Sequence, residues 1–393
     1  MFVTDLRPTH PPEEPPPRRG RTDTDPSGSP DPKADPTADG TPTRTRWCAG
    51  TRLLVTAGAL WTVFLALHLL LTDRWWRWLV VEATPPVAFL VIPLLLLAAT
   101  PLARPVRRWL APALLIHVLI GAHLTGYGPA WRGPDTAAAQ GAAVGEEITV
   151  FSWNADYWDM DDDPDAFHAY LREQDADVYL LQEYLHWEDE DPILIDDTER
   201  LREEFPEHEI VVEGELITLS RLPVVAVHHR SVPDRENAWY WEGRKTQRTD
   251  VLVGDTTLSL YNSHLPVPFR VGDNPLSERF HSFLANQFDW RTRELDWLRE
   301  DLADNPHPAL ITGDFNSPWM GSLIDLGPGV RTHTPEGRLL PATTWPIADY
   351  PLPRLWRLDW LFTSGDLTLT GYRLGGGAEF SDHRAQEIRL LVP

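Results

Sequence analysis

Cysteine is almost missing from this chain: Cys48 is the only one in 393 residues. No intrachain disulfide can form, and no thiolate metal site can be built. Lysine is nearly missing too, present only as Lys33 and Lys245, so arginine carries the positive charge. Apolar residues are scarce in the first 45 positions, which are rich in Pro, Asp, Thr, Gly and Arg. Such a segment cannot bury enough surface to offset its ordering entropy, so residues 1–48 are expected to be a disordered cytoplasmic tail. Basic charge is scarce after Gly145, where 47 acidic residues face 21 basic ones, a balance of −26 against −23 for the whole chain. A surface of that sign is a poor general partner for nucleic acid, whose phosphates demand Lys and Arg, and leaves room only for a local basic groove.

Three long apolar runs are present. They are Leu53 to Leu71, Leu79 to Ala103 with Pro85, Pro86 and Pro93 inside it, and Trp109 to Tyr127. Each approaches the ~20 residues that span a bilayer, and none carries a central charge. The expectation is three transmembrane helices within 49–127. Arg44, Arg46 and Arg52 precede the first run, and Arg104, Arg107 and Arg108 separate the second from the third. Arginine clusters stay inside, so the N-terminus is expected in the cytoplasm and everything after Tyr127 outside. A Gly-, Ala- and Pro-rich linker is expected over 128–145, and one domain over 146–393.

Within that domain, apolar segments of strand length alternate with two helical ones, Pro164–Gln174 and Ser277–Leu302. Many strands and few helices predict an α/β (α+β) fold, with two sheets packed face to face and helices outside. Polar side chains recur where these strands begin or end. FSWNAD ends on Asn154, LLQEY on Glu183, LYNSHLP on His264 and ITGDFNSP on Asp314 and Asn316. RLDWLFTS opens on Asp359, and FSDHRAQEIRL places Asp382 and His383 before the last strand. Taken singly, each is also a turn residue or a satisfied core residue.

Together their types suit one kind of chemistry. A hard cation such as Mg²⁺ takes oxygen ligands and keeps waters and phosphate oxygens for the rest of its shell, and Asn154 and Glu183 supply oxygens. Two imidazoles can donate to the oxygens of a phosphate as charge builds there. A carboxylate such as Asp314 can orient or deprotonate water, and Asp359 can hold His383 in one tautomer.

In order from Asn154 to His383, these segments resemble the signature of the endonuclease/exonuclease/phosphatase (DNase I-like) superfamily, and ITLSRLPV at 217–224 resembles its IxSRxPI strand pair. The resemblance implies a four-layer α/β/β/α sandwich of two mixed sheets with the site at one edge. It implies Glu183, Asn154 and Asp382 as metal ligands or their close supports, with Mg²⁺ or Mn²⁺ bound. It implies His264 on the scissile phosphate, Asp314 at the attacking water, Asn316 orienting phosphate or Asp314, and Asp359 paired with His383. Either His383 or Asp314 serves as the base. With the apolar runs, the chain is similar to membrane-anchored actinobacterial members associated with glycopeptide resistance. The expected partners are therefore the bilayer and a phosphate ester, first of all a lipid-linked phosphate or phospholipid, hydrolysed outside the cell. An extracytoplasmic nuclease and a non-catalytic sensor on the same fold are the alternatives.

Three further features are open. The acidic run from Asp156 to Asp165 reads as a solvated loop and helix start, or a Ca²⁺ loop lacking the usual glycine. Arg244, Lys245 and Arg248 form the densest basic cluster, a phosphate grip or a surface turn. Trp239, Tyr240 and Trp241 beside them read as an interfacial anchor or as packing.

Overall fold

The computed structural model describes residues 47–126, 145–158, 163–189, 191–230, 232, 234, 236–336, 342–348, 350–377 and 380–393. The expected tail and linker lie outside the described residues, apart from Trp47, Cys48 and Gly145.

The apolar runs do not become three long helices. The first forms α1 (Ala49–Leu71), the one helix among the described residues long and apolar enough to cross a membrane. The second breaks at Thr84-Pro85-Pro86 into α2 (Leu79–Glu82) and α3 (Ala88–Ala98). Consecutive prolines remove two backbone donors and force the preceding residues out of the helical region, so one continuous span cannot form there. The third becomes α4 (Arg107–Leu124), 18 residues that begin with two arginines.

The remaining elements build the expected sandwich. In chain order they are β1 (Glu146–Asn154), α5 (Pro164–Glu173), β2 (Val178–Gln182), β3 (Leu185–Glu188), β4 (Asp191–Leu194), α6 (Thr198–Glu204), β5 (Glu209–Glu213), β6 (Leu216–Ser220) and β7 (Val224–His228). Then come α7 (Ala238–Trp241), β8 (Thr246–Val253), β9 (Thr256–His264), α8 (Glu278–Asp304), β10 (Ala309–Asp314), β11 (Arg331–His333), β12 (Asp359–Ser364), β13 (Thr368–Leu374) and β14 (Gln386–Val392). One six-stranded sheet runs β13-β14-β1-β2-β6-β5 and the other β11-β12-β10-β9-β8-β7. Both are mixed: β1 with β2 and β9 with β10 are parallel, and the other pairs are antiparallel.

The sheets meet through a core of alternating apolar residues. Val150, Leu180 and Leu390 from the first sheet pack with Leu258, Leu260, Leu310 and Leu361 from the second. On the outer face of the first sheet, Phe167, Leu171 and Leu201 of α5 and α6 cover Phe151, Tyr179 and Leu219. On the outer face of the second, Leu295 and Leu298 of α8 cover Tyr261, Ile311 and Phe362. A polar layer crosses the interior near the site end. Gln182 donates to Asn262 Oδ1 at 2.6 Å, and Asn262 donates in turn to the carbonyls of Leu181 and Ile217. Asn262 is a structural tie between the sheets, since a buried amide must be paired to be tolerated.

The apolar helices pack on this sandwich directly. Trp319, just beyond the GDFNSP turn, inserts among them. Its ring meets His68 and Phe89 edge-on at 4.3 and 4.9 Å between centroids, and its Nε1 donates to the Glu82 carbonyl at 2.7 Å. Trp356 Nε1 donates to the Ala83 carbonyl at 2.8 Å.

The close approach of β9 and β10 depends on one glycine. Gly313 has φ of +136°, and a Cβ there would fall 2.0 Å from the Ser263 carbonyl oxygen. Gly313→Ala is expected to cost about 3 kcal/mol or more, because both the backbone angle and the strand spacing must yield. Urea unfolding of the full chain in detergent measures it; a loss under about 1 kcal/mol would show that the strands are not clamped there.

Candidate active site

Strand register gathers the polar residues at one edge. Asp314, the last residue of β10, stands opposite His264 of β9 and Asp359 of β12. Asn154 ends β1, and Glu183 follows β2 in the neighbouring sheet with φ of +62°; its carboxylate accepts from Asn154 Nδ2 at 2.9 Å and from the Tyr157 amide at 3.0 Å. Asp382 and His383 are aligned by the loop before β14. Ser381 Oγ donates to the Asn154 carbonyl at 2.7 Å and accepts from the His383 amide at 2.9 Å. The structure therefore brings together all eight residues that the sequence singles out.

Asp314 is the centre. Its Oδ1 accepts from the Asn316 amide at 2.7 Å, and its Oδ2 accepts from Asn316 Nδ2 at 3.0 Å and Asn154 Nδ2 at 3.2 Å. Asn316 is itself in the left-handed region, with φ of +47°, and its Nδ2 also reaches the Leu265 carbonyl. It therefore orients Asp314. The Nε2 atoms of His264 and His383 each lie 3.7 Å from the same Asp314 Oδ2. His383 Nδ1 meets Asp359 Oδ2 at 2.9 Å. Asp382 accepts from Trp345 Nε1 at 2.5 Å and lies 3.7 Å from His383 Nε2.

His264 has a mirror-image support that the sequence reading missed. Its Nδ1 lies 3.2 Å from Glu215 Oε2, and Glu215 takes its other ion pair from Lys245. All three side chains are buried, and the Lys245 ammonium stands over the Tyr240 ring, 3.5 Å from its centroid. Glu215 opens the strand that carries the IxSRxPI-like segment, but nothing local in GELITLS distinguishes an inward acid from a turn residue.

The basic cluster read from the sequence is thus engaged within the fold, with Lys245 and Arg248 in ion pairs. Arg248 pairs with Asp250 and Asp301, while Arg244 donates to the His228 carbonyl and covers Trp297. The neighbouring aromatic run packs inward, with Tyr240 and Trp241 against Trp187 and Trp290. Of the acidic run, 159–162 lie outside the described residues, and Asp163 caps α5 by accepting from the Ala166 amide at 3.0 Å.

Burial and charge set the protonation states. Burial alone would depress His264, yet Glu215, with Glu183 and Asp314 behind it, pushes it up to about 9. His383 is raised well above the ordinary imidazole value against the same burial cost, by Asp359, Asp314 and Asp382. Burial opposes ionisation of Glu215, but Lys245 and then His264 hold it down at about 2. Glu183 and Asp314 are both raised, chiefly by burial.

These acids fit a divalent cation. Asp314, Asp359 and His383 offer ligand atoms within 4.8 Å of one another, and Glu183 and Asp382 bring further carboxylates to the same edge. A bound cation would favour the ionised forms of Glu183 and Asp314 and so oppose the upward shift that burial causes. Asn154 lies between two of these carboxylates. Its Oδ1 accepts from the Asp156 amide at 3.0 Å, and its Nδ2 faces Glu183 at 2.9 Å as well as Asp314. In this geometry it clamps two carboxylates together.

Comparison with protein-family models matches residues 151–383, more than half of the chain, to the Endonuclease/Exonuclease/phosphatase family. Comparison with the curated proteins finds no match. Similar solved structures include TDP2 from D. rerio complexed with single-strand DNA product, with 17% identity, coverage of 63% of this chain and all of that one, and a TM-score of 0.45. TDP2 from Caenorhabditis elegans is 18% identical over 63% of this chain and 98% of that one, at a TM-score of 0.43. An endonuclease/exonuclease/phosphatase family protein from Leptotrichia buccalis is 13% identical over 62% of this chain and all of that one, at 0.41.

Two predictions follow from the Lys245–Glu215–His264 chain. In metal-free protein, His264 is expected to stay protonated at neutral pH and to lose its proton as pH rises through about 9. Its folded pKa exceeds the ordinary 6.5, so its contribution to stability is full below 6.5 and lost as pH rises through about 9. Glu215→Gln removes the anion that favours the cationic ring, so the titration should move to lower pH. Imidazole NMR reads both, and an unchanged midpoint in the variant would refute the pairing. Lys245→Met strands a buried carboxylate and is expected to cost about 3 kcal/mol or more, with Glu215→Gln added to it restoring part of the loss. Denaturant unfolding of the single and double variants forms the cycle that tests this.

Proposed function

From the premise that this chain belongs to the endonuclease/exonuclease/phosphatase family, we propose that its strand-end cluster hydrolyses a phosphate ester in a membrane lipid, outside the cell. The observation that carries the reading is the convergence of two imidazole Nε2 atoms on one oxygen of Asp314, 3.7 Å away in each case. Two donors and one acceptor on a single small space suit a phosphoryl group and the water that attacks it.

Each residue has a role in that reaction. Asp314, fixed by Asn316 and Asn154, orients the water and accepts its proton. His264 and His383 present N–H groups to the phosphoryl oxygens as negative charge accumulates, and one of them protonates the departing oxygen. Glu215 and Asp359 hold the two rings by Nδ1, which leaves each Nε2 facing the reacting group. Glu183 and Asp382, with Asp314 and Asp359 nearby, would hold Mg²⁺ or Mn²⁺, which supplies a Lewis acid for the phosphoryl oxygens when bound.

The membrane part of the reading rests on the helices. Leu53 and Leu60 of α1 are 73% and 66% exposed, and Leu95, Ile116 and Leu119 on α3 and α4 are also exposed. Contiguous apolar surface of this kind wants lipid or another protein. Packing of Trp319 among these helices keeps the Asp314 loop beside them, which suits a substrate drawn from the bilayer. The narrower likeness to actinobacterial envelope members and the outward orientation rest on the sequence pattern, with α1 as the one described helix long enough to cross.

The test uses the full chain in detergent or nanodiscs. Phosphate or headgroup release would be followed from a phospholipid, undecaprenyl phosphate and pyrophosphate, and single- and double-stranded DNA. Each substrate would be tried with Mg²⁺, Mn²⁺ and chelator. Metal-dependent release from a lipid is expected, reduced about 10²- to 10⁴-fold by Asp314→Asn. DNA cleavage without lipid turnover would replace the lipid reading with a nuclease, and turnover unaffected by Asp314→Asn would remove the catalytic one.

A further inference from the structure

A second basic cluster is assembled only by folding. Arg270 follows β9 six residues after His264, and Arg279 and Arg293 lie one near each end of the first half of α8. With Trp241 and Trp290 they line a cavity of about 380 Å³, within the size range of small-ligand pockets. Arg270 and Arg293 make no ion pair among the described residues. Arg270 instead covers the Phe283 ring at 5.3 Å. Gln287 also lines the cavity; it is 4% exposed, and its Oε1 has no hydrogen-bond partner among the described residues.

This cavity adjoins both the catalytic edge and the apolar helices. Trp290 lies 4.7 Å from Lys245 Nζ, and Lys245 holds Glu215 under His264. On the other side, Phe269, Phe280 and Leu284 from the loop and helix around the cavity pack with Trp76 and Leu79. Val271 and Leu276 on the same loop stand out in solvent, the latter 89% exposed.

We propose that this cavity is a binding site for the phosphorylated, hydroxyl-bearing head group of a membrane lipid, with its hydrocarbon running past Val271 and Leu276. The guanidinium groups of Arg270 and Arg293 match phosphate geometry. The indole faces of Trp241 and Trp290 suit the carbon face of a polyol, and the lone Gln287 oxygen calls for a hydroxyl donor. Asp273 also lines the cavity, and a second acceptor there fits hydroxyls while limiting how much free anion binds. The lipid as source rests on the membrane reading above. Binding itself does not require turnover.

Isothermal titration calorimetry on the full Asp314→Asn chain, in detergent with chelator, separates the two. The probes are short-chain phosphatidylglycerol, glycerol phosphate, inorganic phosphate and a single-stranded oligonucleotide. Phosphatidylglycerol is expected to bind most tightly and glycerol phosphate more weakly. Arg270→Gln and Arg293→Gln, neither in the core, should each weaken both about tenfold or more. Unchanged binding in both variants overturns the site. Binding of inorganic phosphate or oligonucleotide with no preference for the lipid overturns its identity. Arginine-dependent lipid binding in a protein whose wild type hydrolyses no lipid would leave the site standing and fell the lipid-hydrolase reading alone.

Discussion

A carboxylate buried among other carboxylates has to be held by something, and Asp314 shows what that requires. It is 1% exposed, with Asp359 across the strand and Glu183 linked to it through Asn154. Left alone, such a group would take up a proton. Here two carboxamides and one backbone amide donate to it, and two imidazoles face it. Each donor arrives from a different element: Asn154 from β1, His264 from β9, Asn316 from the turn after β10 and His383 from the loop before β14. Both sheets must therefore be in register for Asp314 to be tolerated. The polar tie through Gln182 and Asn262 lies beneath the site, where it fixes one sheet against the other.

The two imidazoles are held by the same device with different strength. Each has an acid at Nδ1 and Asp314 at Nε2. Asp359 faces His383 without an arginine or lysine of its own among the described residues, whereas Glu215 is bound to Lys245. A lysine in that position costs desolvation and is worth keeping only if its partner must stay ionised. Glu215 does so, and through it His264 keeps a fixed ring orientation and a positive charge. The wall of Tyr240 and Trp290 around the ammonium offsets part of the desolvation by cation–π contact.

Much of this was legible from sequence because strands of period two announce themselves and their ends carry the chemistry. GDFN after ALIT, and SDH before the last strand, place Asp314, Asn316 and His383 at strand ends, and the family resemblance implies that those ends share one edge. Glu215 and Lys245 were not legible. Each sits at a strand entrance, and the partner that draws its side chain inward lies 30 residues away along the chain, from Glu215 to Lys245. The helical run over 79–103 was misread because hydropathy averages over proline, while a helix cannot. Arg270 and Arg293 do not stand out beside the denser cluster at 244–248, because spacing along the chain says nothing about which guanidinium groups will find carboxylates. Roles within the metal set are a further step. Asn154 reads as an oxygen donor by type, and its Oδ1 also accepts from the Asp156 amide, which leaves the second lone pair of that oxygen for a cation.

Arg291 ties these parts into one mechanical unit. It is 4% exposed, and from α8 it donates to the Pro266 carbonyl at 2.5 Å and the Phe315 carbonyl at 3.2 Å. Those carbonyls belong to the loops that follow His264 and Asp314. The same helix carries Gln287, Trp290 and Arg293 of the neighbouring cavity, while Phe280 and Leu284 on it pack against Leu79 beside the apolar helices. A guanidinium that satisfies two loop carbonyls leaves neither loop free to move without breaking a buried, charge-assisted bond. Any ligand that shifts α8 must act on both catalytic loops together, and so must any change in how the apolar helices seat against it.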